Sequence, residues 1–249
     1  MVSHAFGLTT LFVAIGVMVL TGLWYYEEQH TTSQTCKESV RTSVAPGQYQ
    51  TRSQHGSCPT KNIDVFIVTE KTSLALVEWT VRSIELFMPC RGDLHIVCEP
   101  GETAMVLAFV GNVEDVKIHE MERPKSLATA SAYHMMQWPQ FWADKYVSPT
   151  ADYVMFMDSD SILTLPVTCR AFFNPDGKIL LPAWRWDTLV RYSKICQEAL
   201  GKDCFLGFMN YYPSLSPVRL LGPLREHVVK NRKASNFNNA IWTWDQLAP

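Results

Sequence analysis

The chain has no excess of charge of either sign, no internal repeat and no acceptor site for N-linked glycosylation. Its 249 residues carry 22 Lys and Arg against 24 Asp and Glu, a formal net charge of -2 at pH 7. A nearly balanced charge gives no support for a nucleic-acid-binding protein. The hydrophobic share of 47% and the 8 Trp exclude a disordered chain. Length and composition predict one sizeable domain, either globular or membrane-attached.

Charged residues are also missing from residues 5–26, which read AFGLTTLFVAIGVMVLTGLWYY. About 20 apolar residues suffice for a helix to cross the hydrocarbon core of a bilayer. Trp24, Tyr25 and Tyr26 suit the membrane interface. No Lys or Arg precedes the run and no A-x-A site follows it, which favours an uncleaved anchor over a signal peptide. Residues 1–4 would then be a cytoplasmic stub, and a type II arrangement is expected.

Residues 27–61 show neither helical nor strand periodicity and are rich in Ser, Thr and Gln. This composition predicts a disordered stem between the anchor and the folded domain. The chain has 7 Cys, so in an oxidising lumen some could pair and at least one would stay free. Cys98 lies inside an apolar run and is interpreted as a small core residue.

Strands and helices alternate in the folded part, residues 62–249. Short apolar runs at residues 63–70, 93–98, 116–121 and 153–157 are typical of buried parallel strands. Helices are predicted between them, the first of them after an N-cap at Thr72 or Ser73. Its apolar positions fall at helical spacing: Leu74, Val77, Val81, Ile84 and Met88. The alternation predicts an α/β domain with a mostly parallel sheet, covered by helices on both faces.

The remaining elements are predicted from less regular patterns. A second helix covers residues 102–110, and a helical stretch over residues 126–147 is interrupted at Pro139. Beyond residue 160, a strand is predicted at residues 177–184 and a helix at residues 186–200. The rest of the chain reads as irregular, apart from a helix around residues 225–227.

An acidic pair, Asp158 and Asp160, follows the fourth predicted strand, with Ser159 between the two. Ligands of open α/β sheets bind beyond the carboxyl ends of the strands. Two carboxylates one residue apart offer hard oxygen ligands to Mg²⁺ or Mn²⁺. A solvated turn is the ordinary alternative for an Asp-x-Asp. The apolar strand ahead and the place late in the βα series favour a metal site that also binds a diphosphate.

The chain resembles the GT-A-type glycosyltransferases of the secretory pathway. It shares with them an apolar anchor, a polar stem and a βαβαβ series that ends in Asp-x-Asp. The resemblance covers the chain from about Lys61 onwards and puts the family's DxD motif on Asp158, Ser159 and Asp160. It implies a GT-A-like Rossmann-type fold, a nucleotide-sugar donor and a Mn²⁺ or Mg²⁺ cofactor. Asp160 would bind the metal directly, and Asp158 would contact the donor's ribose or the metal through water.

The same resemblance implies further partners and contacts. The nucleotide base would lie at the end of the first strand, on Val68, Thr69 and Glu70. The acceptor would be a glycan, a glycoprotein or a lipid, and the catalytic domain would be lumenal in the Golgi or ER. A third metal ligand, often His, is implied near the end of the domain. His227, a water molecule or a segment of a longer chain beyond Pro249 would supply it.

Residues around the pair are further candidates for the site. Acceptor-side candidates are aromatic or planar polar residues that suit sugars: Trp184, Arg185, Trp186, Asn210 and Tyr211. Candidates for a base that accepts the proton of the acceptor hydroxyl are Asp187, Glu226 and His227. Asp144 is a candidate donor contact. For each, a core aromatic or a solvated charge is the ordinary alternative. His95 and His119 are interpreted as structural.

Two other functions remain open at the level of sequence. A haloacid-dehalogenase-type phosphatase would use Asp158 as nucleophile and Asp160 as general acid, but it needs the pair on its first strand and a second acidic pair later. The non-enzymatic alternative is a membrane-tethered, glycosyltransferase-like binding protein without catalysis. Metal-dependent nucleotide binding and sugar turnover distinguish the three.

Overall fold

The computed structural model of the protein describes residues 62–111, 113, 115–125, 136–180, 184–185, 197–201, 206–207 and 213–242. The expected stub, anchor and stem, residues 1–61, lie outside these ranges. Within the described ranges, no helix has the length and apolarity that a membrane crossing requires.

Seven strands are present in the described part of the chain. They are β1 Ile63–Val68, β2 Leu94–Cys98, β3 Val116–Glu120, β4 Tyr153–Asp158, β5 Trp184–Arg185, β6 Leu206–Gly207 and β7 Ser214–Pro217. Five of them form the main sheet in the order β3-β2-β1-β4-β7, and β5 pairs with β6 separately. The pairs among β1 to β4 are parallel, whereas β7 is antiparallel to β4. The predicted mostly parallel sheet is confirmed.

Helices cover both faces of the main sheet. They are α1 Leu74–Phe87, α2 Thr103–Val110, α3 Leu221–Arg232 and α4 Phe237–Trp242, with short 3-10 helices at Lys71–Ser73, Trp138–Lys145, Cys169–Phe172 and Val218–Leu220. Side chains alternate between the faces of a strand, and this alternation divides the core in two. Ile63, Val65 and Ile67 pack with α1 and α2. Phe66 and Val68 pack with the 3-10 helix Trp138–Lys145 and with α3 and α4.

The chain order places a crossover beside β1. The chain runs from β1 to β2 and β3 on one side and then returns to β4 on the other side of β1. Such a reversal of strand order opens a crevice beyond the carboxyl ends of the two central strands, where open α/β sheets bind ligands. The crevice therefore lies between the ends of β1 and β4, next to Val68 and Asp158.

A disulfide ties the chain after β4 to the end of α1. Cys90 and Cys169 are bonded across a sequence separation of 79 residues. Nearby, the N–H of Val167 donates to the carbonyl of Phe87 at 2.7 Å. Cys98 is free and buried, which confirms its interpretation as a core residue.

Several expectations for the second half of the chain were wrong. Instead of a strand over residues 177–180, the structure has an isolated bridge between Phe173 and Ile179. The region beyond residue 200 that was expected to be irregular contains β6, β7 and α4, whereas α3 confirms the helix expected around residues 225–227. β7 has weak strand composition and forms because β4 offers it an open edge, with Leu215 opposite Met155. Pro223 lies in the first turn of α3, where proline is tolerated.

Other expectations were close to the observed elements or lie outside the described residues. Pro139 interrupts the helical stretch as predicted, since a 3-10 helix begins at Trp138. Ser73 precedes α1, but its side chain makes no capping hydrogen bond. The neighbouring hydroxyl of Thr72 donates to Oε1 of Glu70 at 2.6 Å instead. Of the helix predicted over residues 186–200, only residues 197–200 are described, and they are helical.

Candidate functional site

The acidic pair lies at the crossover of the sheet. Val68, the last residue of β1, is paired with Asp158, the last residue of β4. By strand alternation Asp158 projects to the same face as Val154 and Phe156, which is also the face of Val68. Asp158 is half-buried and Asp160 is exposed. The acidic pair was predicted to follow a buried strand, and in the structure that strand, β4, is the parallel neighbour of β1.

Contacts from α1 fix the backbone of the acidic turn. The hydroxyl of Thr80 donates to the carbonyl of Ser159 at 2.8 Å, and Ser159 is buried. The N–H of Ser161 donates to the carbonyl of Asp158 at 3.1 Å. The hydroxyl of Ser83 accepts the N–H of Leu163 at 3.1 Å. Contacts between α1 and the turn thus hold the backbone that carries the two carboxylates.

A cleft opens beside the turn, beyond the carboxyl ends of β1, β2 and β3. It is partly open to solvent. It is lined by Val68, Thr69, Glu70, Val97, Cys98, Glu99, Met121, Arg123, Met136, Trp138 and Pro139. All three residues expected to contact a nucleotide base, Val68 to Glu70, are among them.

The walls of the cleft combine apolar surface with an unused polar atom. Trp138 and Val97 are buried at the base of the cleft and offer flat or apolar surface. The hydroxyl of Thr69 is buried and, among the residues that the structure describes, has no hydrogen-bond partner. A buried polar group without a partner costs about 1–3 kcal/mol. A ligand that hydrogen-bonds to Thr69 would remove that cost.

The rim of the cleft carries charges. Arg123 donates through Nη2 to Oε1 of Glu99 at 2.7 Å, and Glu70 lies on the opposite side at the end of β1. Burial raises the pKa of the Cys98 thiol to about 11, so the thiol stays protonated and is a poor nucleophile. The cleft therefore offers binding groups, whereas the carboxylates that could hold a cation lie on the turn next to it.

Asp158 and Asp160 fit a divalent cation by the chemistry of their donor atoms. Carboxylate oxygens are preferred ligands of Mg²⁺ and suit Mn²⁺. The carboxylate of Asp160 is exposed at the mouth of the crevice, so water and ligand oxygens can complete the coordination there. When bound, such a cation would neutralise negative charge on the phosphates of a ligand.

A second group of possible metal ligands lies at the other end of the sheet. Asp64, Asp93 and His95 offer ligand atoms within 4.8 Å of one another. Asp64 lies four residues before Val68, which is about 13 Å along the strand at 3.3 Å per residue. This cluster is therefore separate from the acidic turn.

The lone pairs of Asp64 already accept hydrogen bonds from the protein. Its Oδ1 accepts the N–H of Asp93 at 3.0 Å, and its Oδ2 accepts the N–H of Ser148 at 2.8 Å. Nε2 of His95 lies 3.1 Å from the same Oδ2, and Lys117 pairs with Asp93. We interpret the cluster as a hydrogen-bond network that joins the amino ends of the strands.

The network continues from His95 to His119. Nδ1 of His95 lies 2.9 Å from Nε2 of His119, and the two rings are stacked with centroids 5.2 Å apart. Burial, with smaller contributions from the charges of His95 and Lys117, lowers the pKa of His119 to about 4. His119 is therefore neutral at pH 7. These contacts agree with the structural role expected of both histidines.

Asp144 and His227 both contact residues outside the acidic turn. Asp144 accepts two hydrogen bonds from Arg225, at 2.6 and 2.8 Å, and the guanidinium of Arg225 lies 4.3 Å from the ring centre of Trp142. Nε2 of His227 lies 2.9 Å from the carbonyl oxygen of Leu200. We interpret the Asp144–Arg225 pair as a structural link between the 3-10 helix Trp138–Lys145 and α3.

The other candidates are only partly described. Glu226 is exposed on α3. Trp184 and Arg185 form β5, paired with Leu206 and Gly207 of β6. Trp186, Asp187, Asn210 and Tyr211 lie outside the described residues.

Sequence reasoning missed much of the cleft. Glu99, Met121 and Arg123 were not singled out, although each follows β2 or β3 by no more than three residues. The rule that ligands bind beyond the carboxyl ends of parallel strands applies to β2 and β3 as it does to β1. That rule could have found these residues. Trp138 comes from a segment whose place over the sheet has no signal in the sequence.

Solved structures with a similar chain arrangement include glycosyltransferases. No protein-family model and no curated protein matches the chain. The galactosyltransferase LgtC, in complex with donor and acceptor sugar analogs, is 13% identical over 72% of this chain and 69% of its own, with a TM-score of 0.46. The glycosyltransferase GlyE of Streptococcus pneumoniae TIGR4 is 14% identical over 74% of this chain and 43% of its own, with a TM-score of 0.43.

An enzyme with another activity has a comparable arrangement. The 4-diphosphocytidyl-2C-methyl-D-erythritol synthase of Anaerococcus prevotii DSM 20548 is 11% identical over 75% of this chain and 83% of its own, with a TM-score of 0.37. The similarity to all three is one of chain arrangement at low sequence identity.

Proposed function

We propose that this protein is a metal-dependent glycosyltransferase that moves a sugar from a nucleoside-diphosphate donor to an acceptor hydroxyl. The observation that carries the proposal is the pairing of Val68 with Asp158. Val68 lines the cleft, so a ligand whose base fills the cleft has its phosphates beside the acidic turn. Neighbouring strands are about 4.8 Å apart, so one nucleotide can reach the cleft with its base and the acidic turn with its phosphates.

The proposed reaction replaces one bond of the sugar's anomeric carbon. The bond to the diphosphate oxygen breaks, and a bond to the acceptor oxygen forms as the acceptor hydroxyl loses its proton. The nucleoside diphosphate leaves with added negative charge. Asp158 and Asp160 would hold a Mn²⁺ or Mg²⁺ ion, which supplies charge neutralisation for that leaving group. Asp187, Glu226 and His227 remain candidates for the base.

The cleft would bind the donor through its nucleoside. Trp138 and Val97 provide apolar surface for a base, and the Thr69 hydroxyl provides a hydrogen bond that is unused within the described chain. Arg123 at the rim could leave Glu99 to pair with a phosphate or ribose oxygen. We further propose Trp184, Arg185, Trp186, Asn210 and Tyr211 as acceptor-side residues.

We propose a lumenal location in the Golgi or ER, with residues 5–26 as a type II anchor and residues 27–61 as the stem. The disulfide between Cys90 and Cys169 supports this proposal, because disulfides persist in oxidising compartments and are rare in the cytosol. The acceptor would then be a glycan, a glycoprotein or a lipid that passes through the same compartment.

Metal-dependent nucleotide binding tests the proposal. Calorimetric titration of the full chain in detergent with UDP and Mn²⁺ should detect binding that is lost when EDTA removes the metal. Asp160→Ala should weaken the affinity at least tenfold, because the exposed carboxylate is a metal ligand. Asp176→Ala changes an exposed aspartate in a distant turn and serves as the control. Equal UDP affinity in the Asp160→Ala variant and the parent would refute the site.

Turnover separates the remaining alternatives. A transferase releases UDP from a UDP-sugar, whereas a binding protein of the same fold binds UDP without releasing sugar. A phosphatase would hydrolyse an aryl phosphate. The position of the acidic pair on β4, fourth along the chain, argues against the phosphatase, which needs the pair on its first strand.

A further inference from the structure

Large apolar side chains are exposed along one side of α1. Leu76, Trp79 and Leu86 expose 49%, 57% and 71% of their surface. They occupy positions i, i+3 and i+10, which fall on one stripe of a helix. The position between them on the stripe, Ser83, is buried, and its hydroxyl accepts the N–H of Leu163. The exposed stripe thus borders the loop that follows the acidic turn.

That loop adds two more exposed apolar residues. Residues 159–167 lie alongside α1. Ser159 contacts Thr80 at one end of this loop, and Val167 contacts Phe87 at the other. Ile162 and Leu165 in this loop expose 56% and 72% of their surface. Together the exposed residues form one surface, which we call the apolar ridge: Leu76, Trp79, Leu86, Ile162 and Leu165.

The ridge is comparable to the largest apolar patch of a typical monomer and is small for a stable protein interface. Five such side chains expose roughly 600 Å², at the upper end of the largest patch on a typical monomer. A stable protein–protein interface buries roughly 800 Å² on each partner. The area therefore favours a partner that needs no extensive matched surface, such as a bilayer.

The composition of the ridge also suits a lipid interface. Trp collects at the boundary between headgroups and acyl chains. Arg82 lies next to Trp79, with its guanidinium 5.8 Å from the ring centre, and a long basic side chain can extend to the headgroups while its stem covers apolar surface. Glu78 forms an ion pair with Arg82 at 2.6 Å, so its negative charge is compensated.

We propose that the apolar ridge rests on the surface of a lipid bilayer and holds the acidic turn at headgroup level. The inference relies on the proposed function in one respect, namely that residues 5–26 anchor the chain. A flexible chain of the length of residues 27–61 has a root-mean-square span of about 30 Å, which keeps the domain near the bilayer. Weak contact suffices there, because the tether raises the effective concentration. Ile162, two residues after Asp160, would face acceptors carried by membrane lipids.

Site-specific photo-crosslinking in membranes tests the ridge. p-Benzoylphenylalanine replaces Trp79 or Leu165 in the full chain, reconstituted in phosphatidylcholine vesicles that contain an alkyne-tagged phosphatidylcholine. Glu85, exposed on another side of α1, is the control position. We expect tagged lipid on the chain at positions 79 and 165 at least fivefold above position 85. Equal labelling at the three positions, or crosslinks at 79 and 165 to a second copy of the chain, would overturn the proposal.

Two controls distinguish a failure of the ridge proposal from a failure of the proposed function. Flotation of the vesicles reports the anchor, and UDP binding with Mn²⁺ reports the donor site. A chain that floats and binds UDP but has no lipid label at positions 79 and 165 refutes the ridge alone. Label at both positions without UDP binding supports the ridge and counts against the glycosyltransferase. Thermal unfolding of each variant near the parent's temperature shows that the substitution has kept the fold.

Discussion

Val68 and Asp158 end two adjacent parallel strands in register. One of the two residues lines the cleft, and the other begins the acidic turn. Because the strands are parallel neighbours, their carboxyl ends meet at one edge of the sheet. The apolar surface of the cleft and the carboxylates of the acidic turn therefore lie side by side, although Val68 and Asp158 are 90 residues apart in sequence.

Thr69→Val tests whether the cleft binds the donor. Valine has nearly the same shape but no hydroxyl, so it removes a buried donor without a partner among the described residues. We expect unchanged or slightly higher stability of the folded protein. UDP affinity should fall about 2- to 10-fold, because a net hydrogen bond is worth about 0.5–1.5 kcal/mol. Calorimetric titration of UDP with Mn²⁺ present measures the change.

Ser216→Ala is the matched control for this substitution. Ser216 is also buried and its hydroxyl also has no partner among the described residues, but it lies on β7 opposite Val154. Its removal should leave UDP affinity unchanged. Equal affinities in all three proteins would contradict a ligand contact at Thr69.

The first four strands could be predicted because their surroundings are simple. β1 and β4 are buried on both faces, so apolar residues predominate in them, with Asp64 the exception in β1, and the acidic pair marks where β4 ends. Local composition was sufficient for these elements. The expected nucleotide contacts, Val68 to Glu70, line the cleft. Their place could be predicted as well, because they lie at the carboxyl end of β1.

Elements that depend on distant partners were not predictable. Ser214 to Pro217 form a strand only because β4 leaves an edge to pair with. The sequence also cannot reveal that Arg225, 81 residues from Asp144, binds both of its carboxylate oxygens. Tertiary contacts of this kind override local propensity.

Arg225→Met tests the structural role of the Asp144–Arg225 pair. The substitution leaves the mostly buried carboxylate of Asp144 without its partner and removes the guanidinium from Trp142. Loss of one partner of a buried pair costs about 3–5 kcal/mol, so we expect a decrease of about 3 kcal/mol in the free energy of unfolding. Urea unfolding measures it. Arg82→Met, which breaks an exposed pair, should cost less than about 1 kcal/mol.

Asp144→Asn decides between the two roles of this residue. If Asp144 is structural, the variant loses stability but binds UDP and Mn²⁺ with the parent's affinity at temperatures where it is folded. A tenfold loss of UDP affinity in the folded variant would restore Asp144 as a donor contact.

His119 should make the protein sensitive to mild acid. Its pKa is about 4 in the folded chain because of burial, and the ordinary value of about 6.5 applies when the chain is unfolded. Between these values only the unfolded chain binds the proton, so stability is lost as the pH falls from about 6.5 to 4. We expect a loss of about 1–2 kcal/mol, since solvent screens part of the effect at a half-buried ring.

The pH dependence of thermal unfolding tests this assignment. The parent's unfolding temperature should fall between pH 7 and pH 4.5 by several degrees more than that of His119→Gln, which has no titrating group at this position. The difference between the two curves isolates His119 from the other groups that titrate. Parallel curves for the two proteins would show that His119 does not carry the effect.

Reduction of the disulfide should destabilise the domain and loosen the segment after the acidic turn. Cys90 and Cys169 close a loop across 79 residues, and removing a native disulfide typically costs about 2–5 kcal/mol. For a domain of this size each kcal/mol lowers the unfolding temperature by about 2–4 °C. The Cys90→Ser, Cys169→Ser double variant should therefore unfold about 10 °C below the parent.

Reductant provides the control, because it should lower the parent's unfolding temperature and leave that of the double variant nearly unchanged. Peptide mapping without reduction should recover the peptides of Cys90 and Cys169 linked to each other. Val167, two residues before Cys169, donates a hydrogen bond to the end of α1, so losing the disulfide should also weaken the packing of the loop against α1. UDP binding in the double variant should then weaken less than in Asp160→Ala, because the disulfide positions the turn but contacts no ligand. Free thiols at both positions in protein purified from the secretory pathway would contradict the disulfide and remove its support for a lumenal domain.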